Sequence, residues 1–215
     1  TNGGLGINFN SLANNEVRSN SGNRFLWGGM GHLSEASVLC KVGGTVVHAT
    51  VNSKFTDCNV SKDAFLPLTV DYRFRNYAIG VIGRRERHNT EEETLVARCI
   101  DRAIRPLFPE GYINEVQVFV TTHSSDGIND AITASINAAS FALIQSKEPW
   151  NGPIGCCRVG LVDGKLTVNP TLAELSNSNL NLLYAGTKSR TLMIEFGGKE
   201  VPEETVKEAM QLAHS

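Results

Sequence analysis

Alternating apolar and polar positions mark several strands in this chain of 215 residues. Two β-prone runs, Ala36 to Val42 and Thr45 to Asn52, are joined by Gly43-Gly44, a pair typical of a two-residue hairpin turn. The run from Leu66 to Tyr72 predicts an edge strand or a strand start, because its second residue is proline. Valine at every second position between Glu115 and Thr122 predicts a further strand. The first half of the chain is therefore rich in β-structure.

An amphipathic helix is predicted to begin near Thr90. Thr90 and Glu93 have the spacing of a capping box, in which hydroxyl and carboxylate accept from backbone N–H groups that the first turn leaves free. An apolar stripe follows, and two prolines end the helix: Leu95, Val96, Cys99, Ile100, Ala103, Ile104 and Leu107, then Pro106 and Pro109. On the polar face Asp101 precedes Arg105 by four residues, which favours an ion pair. We expect the helical arginines to form a solvated or ion-paired face: Arg98, Arg102 and Arg105.

The second half of the chain predicts two more helices and two strand pairs. The helices run roughly from Asn129 to Ser146 and from Pro202 to near His214, and the strands are Ile154 to Val162, Leu166 to Val168, Leu180 to Ala185 and Thr191 to Phe196. Helices and strands alternate unevenly, with hairpins between several strands, so we predict an α+β fold in which a mixed β-sheet packs with helices. Residues 1–23, rich in Gly, Asn and Ser, are expected to be a loosely held lead-in to a single domain over 24–215.

Composition and charge exclude several classes of protein. The hydrophobic share of 41% and the charged share of 20% are ordinary for a globular protein. The net charge of −2 means that any contact with nucleic acid must be local. No apolar run is long enough to span a bilayer, so we expect no membrane partner. The five cysteines lack zinc or disulfide spacing and predict buried thiols in a reducing compartment: Cys40, Cys58, Cys99, Cys156 and Cys157.

One short segment is a candidate for phosphate contacts. Arg84, Arg85, Arg87 and His88 cluster directly before the capped helix, with only Glu86 among them. Such a cluster suits the backbone of a nucleic acid, although basic loops also serve in ion pairs. The common catalytic and nucleotide-binding motifs are absent from the sequence.

Other polar or aromatic residues that could mark a site have simpler interpretations. His32, His48 and His123 are isolated on apolar or strand-like stretches, and we expect them to be packed and hydrogen-bonded rather than metal ligands. Trp150 lies in a turn shaped by proline and glycine, where packing is its expected role.

Four segments, in order along the chain, resemble the polynucleotide phosphorylase family. They are IDRAIRPLFPEGYINEVQV (Ile100 to Val118), SSDGIND, PWNGPIG (Pro149 to Gly155) and VNPTLAEL (Val168 to Leu175). The resemblance extends from about Asn20 to Ser215 and is to the first of that family's two ribonuclease PH-like core domains. It implies a ribonuclease PH-like fold of the ribosomal protein S5 domain 2-like type.

The resemblance also implies a function and partners for a longer parent protein. Family members form a homotrimeric ring whose channel admits single-stranded RNA, and they degrade RNA from its 3′ end with inorganic phosphate and Mg²⁺ to give nucleoside diphosphates. The parent would continue into a helical linker, the second ribonuclease PH-like domain, and KH and S1 RNA-binding modules. Details such as PWNGP and SSDGIN resemble organellar members, which favours mitochondrion or plastid, and otherwise cytoplasm.

In the family, catalysis belongs to the second domain, and this chain lacks the matching residues. Where that domain has a serine-rich phosphate turn, this chain has Asn129-Asp130-Ala131, and a carboxylate there would repel phosphate. Where it has two aspartates and a lysine, this chain has Leu175, Asn181 and Leu183, which neither bind Mg²⁺ nor transfer a proton. We therefore expect no catalytic residue, no metal ligand and no cofactor in this domain.

The resemblance leaves RNA guidance as the expected role of the basic segment. In the family a channel loop carries two aromatics ahead of two arginines, which Arg84 and Arg85 match. The preceding residues here are Ile82 and Gly83, and the loop is shorter, so either the stacking pair is lost or part of the loop is missing from the sequence. Tyr77 is the nearest upstream aromatic, but its position matches no stacking role. The alternatives are a self-standing ribonuclease PH-type exoribonuclease or exosome-ring subunit, and a purely structural scaffold domain.

Overall fold

A computed structural model describes residues 16–19, 22–55, 65–82 and 90–214 of the chain. The strands are β1 Glu16–Arg18, β2 Arg24–Trp27, β3 Ala36–Val42, β4 Thr45–Lys54, β5 Leu68–Phe74, β6 Glu115–Ser124, β7 Gly155–Val162, β8 Lys165–Val168, β9 Leu180–Gly186 and β10 Thr191–Gly198. The α-helices are α1 Glu91–Ile104, α2 Ala131–Gln145, α3 Leu172–Ser176 and α4 Glu203–His214, with short 3₁₀ turns at Asn76–Ile79 and Arg105–Leu107.

The strands form two sheets. Six strands lie in the order β1-β2-β3-β4-β6-β5, all antiparallel except for the parallel pair β5 and β6. The second sheet is antiparallel, with the order β10-β9-β7-β8. The parallel pair is joined by a crossover that contains α1, as a parallel connection requires. The predicted α+β class, with a mixed sheet packed against helices, is confirmed.

Helices α1 and α2 lie between the two sheets. Alternate side chains of β4 and β6 point inward and are fully buried, among them Val47, Val51 and Val118. The main core joins them to α1, α2 and the inner residues of the second sheet, such as Leu183. A smaller core on the other face of the second sheet packs Leu182 against Ala209 of α4. The layers are therefore sheet, helices, sheet and helix, and among the described elements no α-helix packs on the outer face of the six-stranded sheet.

The capping box at Thr90 is confirmed, and it also anchors α1 to the sheet. The Thr90 hydroxyl accepts from the Glu93 backbone N–H at 3.2 Å, and a Glu93 carboxylate oxygen accepts from the Thr90 N–H at 2.9 Å. The other oxygen of the buried Glu93 carboxylate accepts from the Phe74 N–H at 2.7 Å, at the end of β5. One carboxylate thus fixes both the start of the helix and its position beside the sheet.

Three elements differ from the sequence prediction. Strand β2 and helix α3 were not predicted, because runs of four and five residues are too short to show a periodicity. Within the segment expected to be a lead-in, Glu16–Arg18 forms an edge strand, since Val17 is buried while Glu16 pairs with Arg24 of β2. Residues 1–15 of that segment lie outside the described residues.

The described cysteines are free thiols, as expected. Cys40 and Cys156 are buried, and Cys99 and Cys157 are partly buried, whereas Cys58 lies outside the described residues. Burial raises the pKa of Cys40 to about 12 and that of Cys157 to about 11. These thiols therefore stay protonated and unreactive at neutral pH.

Candidate nucleic-acid interface

The four residues predicted to contact RNA lie outside the described part of the chain. Arg84, Arg85, Arg87 and His88 belong to the segment 83–89, so their role stays a prediction. The structure does describe both ends of this segment. The chain enters it after Val81 and Ile82, two exposed apolar residues, and leaves it at Thr90, the first residue of the capping box.

The turn before the basic segment is held firmly against β6. Residues Asn76–Ile79 form a 3₁₀ turn whose Ala78 is buried and whose Ala78 carbonyl accepts from the Ser125 N–H at 2.9 Å. Gly80 ends the turn with φ of 76°, a conformation that glycine adopts without strain. The turn is thereby attached to the sheet next to the point where the chain enters the basic segment.

Three aromatic rings form a ladder on the outer face of the six-stranded sheet. Tyr77 lies near-parallel to His123, with ring centroids 6.4 Å apart and 14° between the planes. His123 in turn lies 5.6 Å from His48, at 29°. The Tyr77 hydroxyl is 3.1 Å from His123 Nδ1, and His48 Nε2 is 2.8 Å from the Ser37 hydroxyl. We call Tyr77, His123 and His48 the aromatic ladder.

Both histidines of the ladder favour the neutral form. Partial burial lowers the pKa of His123, and the nearby Arg75 adds to this. Burial also lowers the pKa of His48, with a further contribution from His123. At neutral pH both histidines are therefore uncharged. The expectation of packed and hydrogen-bonded histidines is confirmed for His48 and His123 but is wrong for His32, which is exposed.

A buried ion pair lies at the N-terminus of α2, where the family resemblance placed a phosphate turn. Asp130 is the N-cap of α2, and its carboxylate accepts from the backbone N–H groups of Ile132 at 3.0 Å and Thr133 at 3.3 Å. The same carboxylate accepts from Arg158 Nε of β7 at 2.8 Å. The side chains of Arg158 and Asp130 are only 9% and 11% exposed. The helix end therefore has its own anion, and that anion has its own cation.

Asp130, Arg158 and Asn181 form a polar centre in which Asn181 is neutral. Arg158 also donates from Nη1 to the Asn181 side-chain carbonyl on β9, at 2.8 Å. Leu183, two residues further along β9, is buried in the main core, and Leu175 on α3 is partly buried. Mg²⁺ requires several free oxygen ligands, and the only carboxylate of this set, Asp130, already accepts from Arg158 and two backbone N–H groups. The residues present at this position do not fit a magnesium ion.

Asp126 of the segment SSDGIND holds the neighbouring turn together. Its carboxylate accepts from the backbone N–H groups of Gly44, Ile128 and Asn129 at 2.8–2.9 Å, and from the Thr45 hydroxyl at 3.0 Å. Burial by itself would raise the pKa of Asp126, but the hydrogen bonds donated by Asn129, Ile128 and Gly44 together outweigh it and hold the pKa well below its usual range. Asp126 therefore attaches the turn before α2 to the β3–β4 hairpin and is fully engaged in structural contacts.

The arginines of α1 serve structural contacts where the structure gives them partners. Arg105 pairs with Asp101 at 2.6 Å, as the spacing predicted, and donates to the backbone carbonyls of Leu66 and Leu68. Arg102 pairs with Glu195 of β10. Trp150 likewise packs against the main core and donates from its indole N–H to the Ile104 carbonyl at 3.0 Å. The expected ion-paired face and the packing role of Trp150 are both confirmed.

The described ranges hold neither a candidate metal cluster nor a helix that could span a membrane. Residues 16–19, 22–55, 65–82 and 90–214 contain no group of three or more His, Cys, Asp or Glu side chains that could hold a metal ion. No helix in this part of the chain is both long and apolar enough to cross a bilayer.

Family models match most of the chain. Residues 25–149 match the first domain of the 3′ exoribonuclease family, and residues 152–215 match its second domain. The chain belongs to the 3′ exoribonuclease family. The boundary between the two matches falls between α2 and β7, where the chain passes from the first sheet and its helices to the second sheet.

Within this family the chain is similar to polyribonucleotide nucleotidyltransferases. It is 44% identical to polyribonucleotide nucleotidyltransferase 2, mitochondrial, of Arabidopsis thaliana over 88% of this chain and 19% of the relative. It is 46% identical to the polyribonucleotide nucleotidyltransferase of Roseiflexus castenholzii over 84% of this chain and 24% of the relative. The Thermus thermophilus protein is 45% identical over 84% of this chain and 26% of the relative. The chain thus spans about a fifth to a quarter of the length of these relatives.

A solved structure has the same fold. It is described as the Archaeoglobus fulgidus exosome with RNA bound to the active site, and it superposes with a TM-score of 0.69. The match covers 89% of this chain and 84% of that chain at 20% identity. At this identity the likeness confirms the ribonuclease PH-like fold of the family and is evidence for the fold alone.

The sequence indicates Asp130 and Asn181 as residues to compare with the family, but it reveals neither their partner Arg158 nor the aromatic ladder. No sequence pattern marks Arg158, because it is one arginine in an apolar strand, 28 residues from Asp130 along the chain. His48 and His123 are far apart in the sequence, whereas in the fold they lie at outward positions of two strands that pair as neighbours. The alternation of buried and exposed residues along each strand predicts that both histidines point outward. Only the order of the strands in the sheet shows that the two histidines are neighbours.

Proposed function

We propose that this chain is the first, catalytically inert ribonuclease PH-like domain of a polyribonucleotide nucleotidyltransferase. The parent would be a 3′-5′ phosphorolytic exoribonuclease that uses phosphate and Mg²⁺ and releases nucleoside diphosphates. This domain would help to build a trimeric ring and guide single-stranded RNA with Arg84, Arg85, Arg87 and His88. The similarity to the named relatives over most of the chain supports the activity of the parent.

The ion pair between Asp130 and Arg158 carries the proposal that the domain is inert. A helix N-terminus attracts phosphate because its backbone N–H groups are free and its dipole is positive. Here the Asp130 carboxylate occupies two of those groups and neutralises the adjacent Arg158. A phosphate approaching this end of α2 would meet a carboxylate that already holds the available donors, so neither phosphate nor metal binding is favoured.

Further parts of the parent are proposed on the length of its relatives. Because the chain spans only 19–26% of each of the relatives compared, the parent would be much longer than this chain. By the family resemblance, its further parts would be a helical linker, a second ribonuclease PH-like domain, and KH and S1 modules. Relatives named as mitochondrial occur in Arabidopsis thaliana and Oryza sativa, which favours an organellar location, whereas bacterial relatives favour the cytoplasm.

RNA guidance can be tested by removing the arginine pair. Binding of a fluorescent oligoadenylate, measured by anisotropy without magnesium, is expected to weaken in Arg84→Ala/Arg85→Ala, with a shallower dependence on salt. The matched control is Lys188→Ala/Arg190→Ala, which removes two exposed cations from the β9–β10 turn. An equal loss of oligoadenylate binding in both variants would mean that binding depends only on the net charge of the chain. No loss in the first variant would overturn RNA guidance and leave the scaffold role.

A further inference from the structure

Helix α4 covers only part of the outer face of the second sheet. The sheet has four strands in the order β10-β9-β7-β8, and α4 packs on β7, β8 and β9. Strands lie about 4.8 Å apart and a helix is about 10 Å wide, so one helix covers about two strands. A groove of about 730 Å³ remains between α4 and β10. No described element fills this groove.

The groove is lined mainly by apolar side chains. Phe196 and Val201 contribute from β10 and the segment after it, and Val206 and Met210 contribute from α4. The Phe196 ring is 51% exposed, which is unusual for a large aromatic side chain beside a hydrophobic core. The exposed Lys207 lies at the rim. These features fit the apolar face of an amphipathic helix, whose polar face would remain in water.

The end of α4 lies at this groove. His214, the last residue of α4, lines the groove, and its Nδ1 is 2.6 Å from the Tyr184 hydroxyl on β9. Cys157 Sγ of β7 lies 3.6 Å from the Ala213 carbonyl oxygen, which also holds the last turn of α4 on the sheet. In the longer parent proposed above, the residues after Ser215 would therefore begin beside the groove. A short turn would bring them back along α4, and the covalent connection would give them a high effective concentration there.

We infer that the groove between α4 and β10 is the docking site of an amphipathic helix formed by the segment that follows Ser215 in the parent. The inference rests on the proposed function, since it takes this chain to be part of a longer protein, as the 19–26% coverage of its relatives supports. Strand β10 has eight residues. A helix that covers such a strand needs roughly 16 residues, because a strand rises about 3.3 Å per residue and a helix about 1.5 Å.

The test measures whether position 196 is covered in the parent. Phe196→Cys is made in this chain and in the full-length parent, and alkylation of each cysteine by a maleimide is followed by peptide mass spectrometry. Alkylation at position 196 is expected to be about tenfold or more slower in the parent, because a covered thiol reacts only when the helix opens locally. The matched control is Glu208→Cys, at an exposed position of α4 that does not line the groove, and it should react equally fast in both proteins.

Cross-linking identifies the segment that covers the groove. A photo-reactive phenylalanine analogue at position 196 of the full-length parent is expected to cross-link to the residues directly after Ser215. Cross-links to any other segment, or equally fast alkylation at position 196 in both proteins, would overturn the inference. A parent that releases nucleoside diphosphate from RNA but leaves position 196 open would overturn only this inference. A parent without that activity whose position 196 is covered would overturn only the proposed function.

Other occupants of the groove would give different results. Slow alkylation at position 196 in this chain by itself would overturn the inference, because the groove would then be filled without the following segment. A second copy of the chain is the occupant if dilution restores the fast reaction. Residues 1–15 are the occupant if their deletion restores it.

Discussion

Arg158 and Asp130 show how single residues decide what the N-terminus of α2 can do. The two charges are almost fully removed from water, and each satisfies donors or acceptors that would otherwise be unpaired. Such a pair is costly to break, because removal of one charge leaves the other buried without a partner. The same pair keeps a positive helix end from attracting an external anion.

Replacement of Arg158 should therefore destabilise the fold strongly. Arg158→Met is expected to lower the free energy of unfolding by about 3 kcal/mol, because it leaves the Asp130 carboxylate buried and uncompensated. Urea unfolding followed by circular dichroism measures the change. The control is Arg102→Met, which breaks the exposed pair with Glu195 and is expected to cost less than about 1 kcal/mol. Equal costs for the two variants would contradict the buried role of Arg158.

The lowered pKa values of His48 and His123 predict that the fold becomes less stable at acid pH. Their folded pKa values are lowered, so below about pH 6.5 the unfolded chain binds more protons than the folded chain. The neutral histidines therefore contribute fully to the stability of the fold above that pH, and this contribution is lost as the pH falls toward their pKa values in the folded chain. Urea midpoints should decrease between pH 7.5 and pH 5.5, and the decrease should be smaller in His48→Gln/His123→Gln. An identical pH dependence in this variant would contradict the assignment.

At the residue scale, the sequence predicted types of chemistry better than partners. It correctly predicted that Asp101 pairs with Arg105 four residues later, whereas the expectation that Asp130 repels phosphate stays a prediction. It could not predict Arg158 as the partner of Asp130, because that contact depends on β7 lying beside the start of α2. Contacts within one helical turn follow from spacing alone, whereas contacts between elements require the topology.

Among the elements, α1 begins with a capping box that reaches beyond the helix. Thr90→Ala is expected to lower the free energy of unfolding by about 1 kcal/mol, because the Glu93 N–H loses its acceptor. The matched control is Thr171→Ala, in the capping box of the exposed five-residue helix α3. Since α3 contributes no buried residue, its loss should fray only the local turn, with little change in the urea midpoint. A larger effect at Thr171 than at Thr90 would contradict this account.

Asn137 connects α2 to the second sheet. Its side-chain carbonyl accepts from the Cys156 N–H at 2.8 Å, and its amide donates to the Cys156 carbonyl at 3.0 Å. Asn137→Ala is expected to cost about 2–4 kcal/mol, because two buried backbone groups of β7 lose their partners. Thermal and urea unfolding measure this cost. Asn177→Ala, on the exposed end of α3, is the control and is expected to change stability by less than about 0.5 kcal/mol.

Long elements were predictable because their periodicity repeats several times. Helix α1, the β3–β4 hairpin and the β7–β8 hairpin all follow from capping, alternation and glycine turns. Strand β2 was missed because its four residues offer at most two inward positions. The parallel pairing of β5 with β6 could not be predicted either, because nothing in either strand specifies a partner across the intervening helix.

In the whole molecule, the two sheets and the two helices between them keep the polar centre and the aromatic ladder apart. The polar centre of Asp130, Arg158 and Asn181 lies between α2 and the second sheet, while the aromatic ladder lies on the outer face of the first sheet. The first feature supports the proposal that the domain is catalytically silent, and the proposed RNA contacts belong to the basic segment. The basic segment itself was predicted from sequence, and its contacts stay a prediction because it lies outside the described residues.

Release of nucleoside diphosphate is the most direct test of the claim that this domain has no phosphorolytic site. The chain is incubated with a 5′-labelled oligoadenylate, inorganic phosphate and magnesium, beside an active polyribonucleotide nucleotidyltransferase as positive control. The account predicts no diphosphate above the protein-free blank. Release that requires phosphate and increases in proportion to the concentration of this chain would contradict it and would favour a self-standing exoribonuclease.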